Sequence, residues 1–83
     1  MIRLKVDGQI LVDKHRDPQG NFVALTISVV WKNLAPKLTV YDLDGIEVEL
    51  SGEKVLLKSR SRAKLKALIE KARTLGIIVS GSL

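Results

Sequence analysis

The segment Ser59–Gly76 reads SRSRAKLKALIEKARTLG, and its pattern decides the fold. Leu65, Leu68, Ile69, Ala72 and Leu75 recur at steps of three and four, the spacing of one helical face. Ser59 or Ser61 can cap the start, because a serine oxygen accepts an orphan backbone N–H. Gly76 can close the end in a left-handed conformation that a β-carbon would penalise. Ala63, Lys64, Lys66, Ala67, Glu70, Lys71 and Arg73 are good helix formers. The spacing therefore predicts an amphipathic helix between two strand-like runs, Lys54–Lys58 before it and Ile77–Val79 after it.

The charges of this helix form two rails beside the apolar stripe. At about 100° per residue, Arg60, Lys64 and Lys71 fall on one side and Arg62, Lys66 and Arg73 on the other. The face opposite the stripe carries Ala63, Ala67, Glu70 and Thr74. From Lys58 to Arg73 there are seven Lys or Arg against one acid, a local charge of +6. Residues 1–57 hold seven Lys or Arg against eight acids, a charge of −1, so the net +5 belongs to the helix region. Long cationic stems can simply cover the edges of a core while their heads reach water. Several of these cations, however, sit at the positive end of the helix dipole, where helix stability alone would place acids. Two rails of fixed cations suit phosphates or an acidic partner, and free N–H groups at the helix start beside Arg60 and Arg62 suit a phosphate.

Eighty-three residues make one small domain, 1–83, with a thin stability margin. A hydrophobic content of 46% excludes a disordered chain. Phe22, Trp31 and Tyr41 are the only aromatics, so the core is aliphatic. The absence of cysteine excludes disulfides, thiolate metal sites and thiol nucleophiles. With no signal-like N-terminus, a cytoplasmic protein is expected. The uncharged run that includes Asn21–Trp31 is too short to span a bilayer. The Lys/Arg/Glu-rich, aliphatic composition also fits a thermophilic source.

The remaining chain alternates at period two. Ile2, Leu4 and Val6 predict a first strand, Asp7-Gly8 a tight turn, and Gln9–Lys14 a second strand, with a bulge improving the apolar register. Arg16–Asn21, with Pro18 and Gly20, reads as a turn. Phe22–Lys32 reads as the longest strand, with Val23, Leu25, Ile27, Val29 and Trp31 on an apolar face and Phe22, Ala24, Thr26, Ser28 and Val30 on a mixed one. That mixed face is a candidate for cover by a second copy. Asn33–Lys37 is a loop, Leu38–Tyr41 a strand and Asp42–Gly45 its turn. Ile46, Val48 and Leu50 alternate with Glu47 and Glu49 in a half-exposed strand, and Ser51-Gly52 turns into Val55–Lys58. Ser80–Leu83 is a loose tail. The expected architecture is α+β: an antiparallel hairpin meander of about six short strands, one C-terminal helix packed on it, and a short final strand.

Few constellations carry chemistry. His15, the only histidine, lies at a turn and reads as a surface residue. Asp42, Asp44, Glu47 and Glu49 form an acidic cluster, but the later ligands of a calcium loop are missing and no convergent two-metal set can be built. It reads as a turn and a solvated strand face, one that can also meet the basic rails of another copy. Each glycine of Gly8, Gly20, Gly45 and Gly52 belongs to its own turn, and no phosphate-binding glycine motif or nucleophile elbow is present. Trp31 shares parity with the apolar face and is expected in the core, whereas Tyr41 is the candidate for an exposed stacking platform.

The expected function is a non-enzymatic binding module that contacts nucleic-acid phosphates through Arg60, Arg62, Lys64, Lys66, Lys71 and Arg73, with Lys58 near the helix entry. No catalytic residue, metal, cofactor or small-molecule ligand is expected. The competing expectation is a protein-interaction or structural subunit, a homodimer or one with an acidic protein partner, packed over the small residues Ala63, Ala67 and Thr74. Membrane-surface binding is disfavoured because the apolar stripe is needed to close the core.

Overall fold

A computed structural model describes residues 9–13, 15–81 and 83. The expected first strand, its Asp7-Gly8 turn and the bulged register lie outside these residues. The described chain runs β1 (Ile10–Asp13), β2 (Phe22–Ile27), α1 (Ser28–Leu34), a short 3-10 turn (Ala35–Lys37), β3 (Glu47–Ser51), β4 (Lys54–Ser59), α2 (Arg62–Thr74) and β5 (Val79–Ser80). The class is α+β, with five strands in the order β3-β4-β2-β1-β5.

Two hairpins lie side by side, β1–β2 and β3–β4, joined by antiparallel pairing of β2 with β4. The simple meander expected from the sequence is thereby corrected, and so is its wholly antiparallel character. β5 runs parallel to β1, pairing Ile10 with Val79 and Leu11 with Ser80. The reason lies in α2. A helix of 13 residues returns the chain to the end of the sheet where β4 began, so the next strand must run with β4 and β1.

The helix matches its sequence signature closely. Ser61 is the cap, its hydroxyl accepting from the Lys64 N–H at 3.2 Å. Gly76 at φ +92° closes the other end. There Ile77 N–H donates to the Ala72 carbonyl and Gly76 N–H to the Arg73 carbonyl, the paired bonds of a Schellman motif. Leu65, Leu68, Ile69 and Ala72 are buried against the sheet with Ile10, Phe22, Ala24, Val55, Leu57 and Leu34. Burying each large aliphatic side chain is worth about 1.5–3 kcal/mol.

The expected long strand stops early. β2 ends at Ile27, and Ser28–Leu34 form α1 in place of a continued strand to Lys32. Both neighbours run out at this point: Thr26 is paired with Ile10 and Ile27 with Lys54, the first residues of β1 and β4. A longer β2 would carry unpaired backbone groups, whereas a helix satisfies them internally. Val30 and Leu34, four apart, then reach the core together, and Trp31 packs partly against it from the helix. The faces of β2 are also the reverse of those expected. Phe22, Ala24 and Thr26 are buried under α2, while Val23, Leu25 and Ile27 lie on the opposite face. Thr26 is tolerated inside because its hydroxyl donates to the Gln9 carbonyl at 2.6 Å.

Leu38–Tyr41 is not a strand. The chain turns through residues 40–45, organised by Asp42, whose carboxylate accepts from the Thr39 N–H at 2.8 Å and from the Thr39 hydroxyl. Local side-chain bonding of this kind competes with extended pairing.

Candidate nucleic-acid interface

The rail cations do not form one surface. Lys58 projects from β4 on the face away from α2, because Val55, Leu57 and Ser59 take the buried parity. Its ammonium lies 2.6 Å from Glu49 and 4.0 Å from Asp17, and only 17% of the side chain is exposed. The bond to Glu49 raises its pKa, so it stays charged and locally neutralised. It is not part of the helix surface.

The first rail is met by acids of the same chain. Lys64 Nζ lies 2.7 Å from Asp44, and Lys71 Nζ donates to Asp42. These lysines stand two helical turns apart, about 10.5 Å along α2, and their long stems converge on a two-residue acidic spacing. Lys71 and the Thr39 backbone hold the Asp42 carboxyl below the usual range, and Lys64 does the same for Asp44. The acidic cluster is therefore divided. Asp42 and Asp44 fasten the 40–45 turn to α2, while Glu49 serves Lys58 on the sheet's other face. Among the described residues, no three His, Asp or Glu side chains gather as a metal-binding group.

Gly45 makes this clamp possible. It sits at φ +79°, and a β-carbon there would lie 2.5 Å from Lys64 Cδ. The turn approaches the lysine stem as closely as it does because nothing projects from Gly45. The clamped turn presents Tyr41, which is 86% exposed, but strand parity is not the reason, since the segment is a turn. Val40 beside it is also exposed.

The second rail is different. Arg62 donates to the Leu83 backbone oxygen at 2.7 Å, and Arg73 lies 3.1 Å from Glu70. Lys66 is exposed on the same side, and Lys66, Arg73, Ile69 and Leu83 border a depression of about 260 Å³. Arg60 precedes the cap Ser61 and so lies outside α2, also exposed. Among the described residues, no Asp or Glu carboxylate comes within ion-pair distance of Arg60, Arg62 or Lys66. The outer surface of α2 between the rails, Ala63, Ala67, Glu70 and Thr74, is exposed throughout.

Sequence reasoning found the cations but missed their partners. The one available signal was the pairing of an Asp-x-Asp-Gly turn with lysines two helical turns apart. His15 is exposed, and among the described residues its side chain bonds to Asp13, whose carboxylate also accepts from the His15 backbone N–H at 2.9 Å. No helix among the described residues is long and apolar enough to cross a membrane. No protein-family model, curated protein or solved structure matches the chain.

Proposed function

We propose that this chain is a small, non-enzymatic binding module that contacts nucleic-acid phosphates through one side of α2. Arg62 and Lys66 are the centre of the contact, with Arg60 at the helix entry and Arg73 at its far end. The single observation that carries this reading is how unevenly the cations are partnered. Lys64, Lys71 and Arg73 are answered by Asp44, Asp42 and Glu70, whereas Arg60 and Lys66 have no carboxylate partner among the described residues and Arg62 meets only the Leu83 main-chain oxygen. Cations without an Asp or Glu partner can replace the counterions of a phosphate backbone. Lys64 and Lys71 then act at one remove, by fastening the turn that carries Tyr41 to the same helix. An exposed tyrosine fixed beside a basic helix suits stacking on an unpaired base.

The competing picture, a homodimer closed over the rails by an acidic face of its partner, has less to support it. The acidic complement of Lys64 and Lys71 is already supplied within the chain.

Fluorescence anisotropy with labelled single-stranded and duplex DNA and RNA tests the proposal. Neutralising three or four phosphates predicts a slope of log K against log salt of about −3 on duplex DNA. Flat titrations at low salt end the nucleic-acid reading.

A further inference from the structure

β3 is an open edge of the sheet. Among the described residues it pairs with β4 alone, and all five of its residues are exposed. The registers set it at the end of rows that cross the sheet. On the face under α2, Leu50 continues the row of Ile10, Thr26 and Val55, and Val48 continues that of Ala24 and Leu57. Val55 and Leu57 are fully buried, whereas Leu50 is 68% exposed, so two rows of the core run out into solvent at this edge. On the other face stand Glu47 and Glu49. Glu49 holds the Lys58 ammonium, and Glu47 has no cation within ion-pair distance among the described residues. An unpaired edge is a template for another strand. This one fits an extended segment with aliphatic side chains on one face and cations on the other.

The chain carries such a segment outside the described residues, where Ile2, Leu4 and Val6 alternate with Arg3 and Lys5. We propose that residues 2–5 of one copy add to the β3 edge of a second copy as an antiparallel strand. Ile2 then lies opposite Leu50, Arg3 opposite Glu49, Leu4 opposite Val48 and Lys5 opposite Glu47. Directly opposed residues share a face, so each aliphatic row gains a member and each acid a cation. The exchange is reciprocal and closes a two-fold dimer.

The reach of the chain excludes the same pairing within one copy. Gln9 is fixed beside the start of β1, where its N–H donates to the Ile78 carbonyl at 2.7 Å. A strand outside β3 lies four strand spacings from β1, about 19 Å. The four residues from Lys5 to Gln9 span at most about 14 Å. Nearer edges do not serve. β1 has β2 on one side and β5 on the other, and β5 offers only Val79 and Ser80, with no carboxylate. The cations proposed to meet nucleic acid flank the depression beside Val12 and Gly81, at the β1–β5 side of the sheet. The exchange at β3 therefore leaves them open and does not depend on what they bind.

Sedimentation velocity of the full chain, from low-micromolar to millimolar concentration, tests the proposal. The expected result is a reversible monomer–dimer equilibrium. Lys5→Glu and Glu47→Lys each set like charges across both exchanged strands and are expected to weaken the dimer about tenfold. Circular dichroism is expected to stay native, since Glu47 is exposed. An equimolar mixture of the two variants is expected to regain most of the parental affinity. In the mixed pair every exchanged strand again meets opposite charge, a rescue that pairing within one copy cannot give. A monomer at every concentration overturns the proposal. So does a dimer that Lys5→Glu leaves unchanged, or one that both variants weaken and their mixture fails to restore.

Discussion

Lys64 on α2 donates to the Asp44 carboxylate at 2.7 Å, across twenty residues of sequence, with its stem pressed against Gly45. With the neighbouring Lys71–Asp42 bond, this contact neutralises two cations of α2, whereas Arg60 and Lys66 have no carboxylate partner among the described residues.

Gly45→Ala is expected to open the clamp. The substitution forces a β-carbon into the left-handed region and onto the lysine stem at once. Strain of this kind costs about 1–3 kcal/mol. Urea denaturation is expected to show a loss in that range, and tyrosine fluorescence a change at Tyr41 before global unfolding. A variant as stable as the parent would show that the turn is not held by Lys64.

The clamp is expected to survive mild acid. The pKa values of Asp42 and Asp44 are lowered in the folded chain, first by the lysine hydrogen bonds. Groups depressed in this way stabilise the fold above their unfolded pKa of about 3.9, and the benefit is lost as pH falls through the lower folded values. Carboxyl chemical shifts followed by NMR should titrate below about pH 3.9 for both residues. Asp42→Asn with Asp44→Asn should reduce the thermal stability at neutral pH and flatten its acid dependence. Titration at or above the ordinary value would contradict the clamp.

The two ends of α2 should respond to single substitutions. Ser61→Ala removes the oxygen that accepts from the Lys64 N–H and is expected to cost about 1 kcal/mol. Gly76→Ala places a β-carbon at φ +92° and is expected to cost about 1–2 kcal/mol. Denaturant midpoints should fall with an unchanged slope in both.

Much of this fold is legible in the sequence where a period and its punctuation coincide. The stripe from Leu65 to Ala72 lies between a capping serine and a terminal glycine, so α2 could be placed with its buried face. Phe22–Leu34 fails the same test. Period two continues through Ser28–Trp31, and Val29 and Val30 carry strand propensity, yet Val30 and Leu34 also satisfy a helix. The end of β2 is set by where β1 and β4 stop, which no local pattern records. The inverted faces of β2 have a related cause. Alternation distinguishes two faces but not which one a helix will cover. The site divides in the same way: its cations are legible as residues, but their neutralisation depends on Asp42 and Asp44, 29 and 20 residues away.

The reassigned α1 gives a direct contrast between two neighbouring apolar residues. Leu34 is fully buried in the core, so Leu34→Ala is expected to cost about 2–5 kcal/mol. Val29 points to solvent from the helix, so Val29→Ala should change stability by no more than about 0.5 kcal/mol. Had the strand continued to Lys32, Leu34 would fall in the loop after it and Leu34→Ala would cost little.

The most direct test of the central claim is a comparison of charge reversals in anisotropy titrations with labelled nucleic acid. Arg62→Glu with Lys66→Glu reverses the two cations proposed as the centre of the contact, and Lys32→Glu with Lys37→Glu makes the same change of net charge on α1 and its following turn. The account predicts near-complete loss of binding at physiological salt in the first variant, with a shallower salt slope, and a small, uniform weakening in the second. Equal losses in both would reduce the interaction to net charge alone and contradict a binding surface on α2.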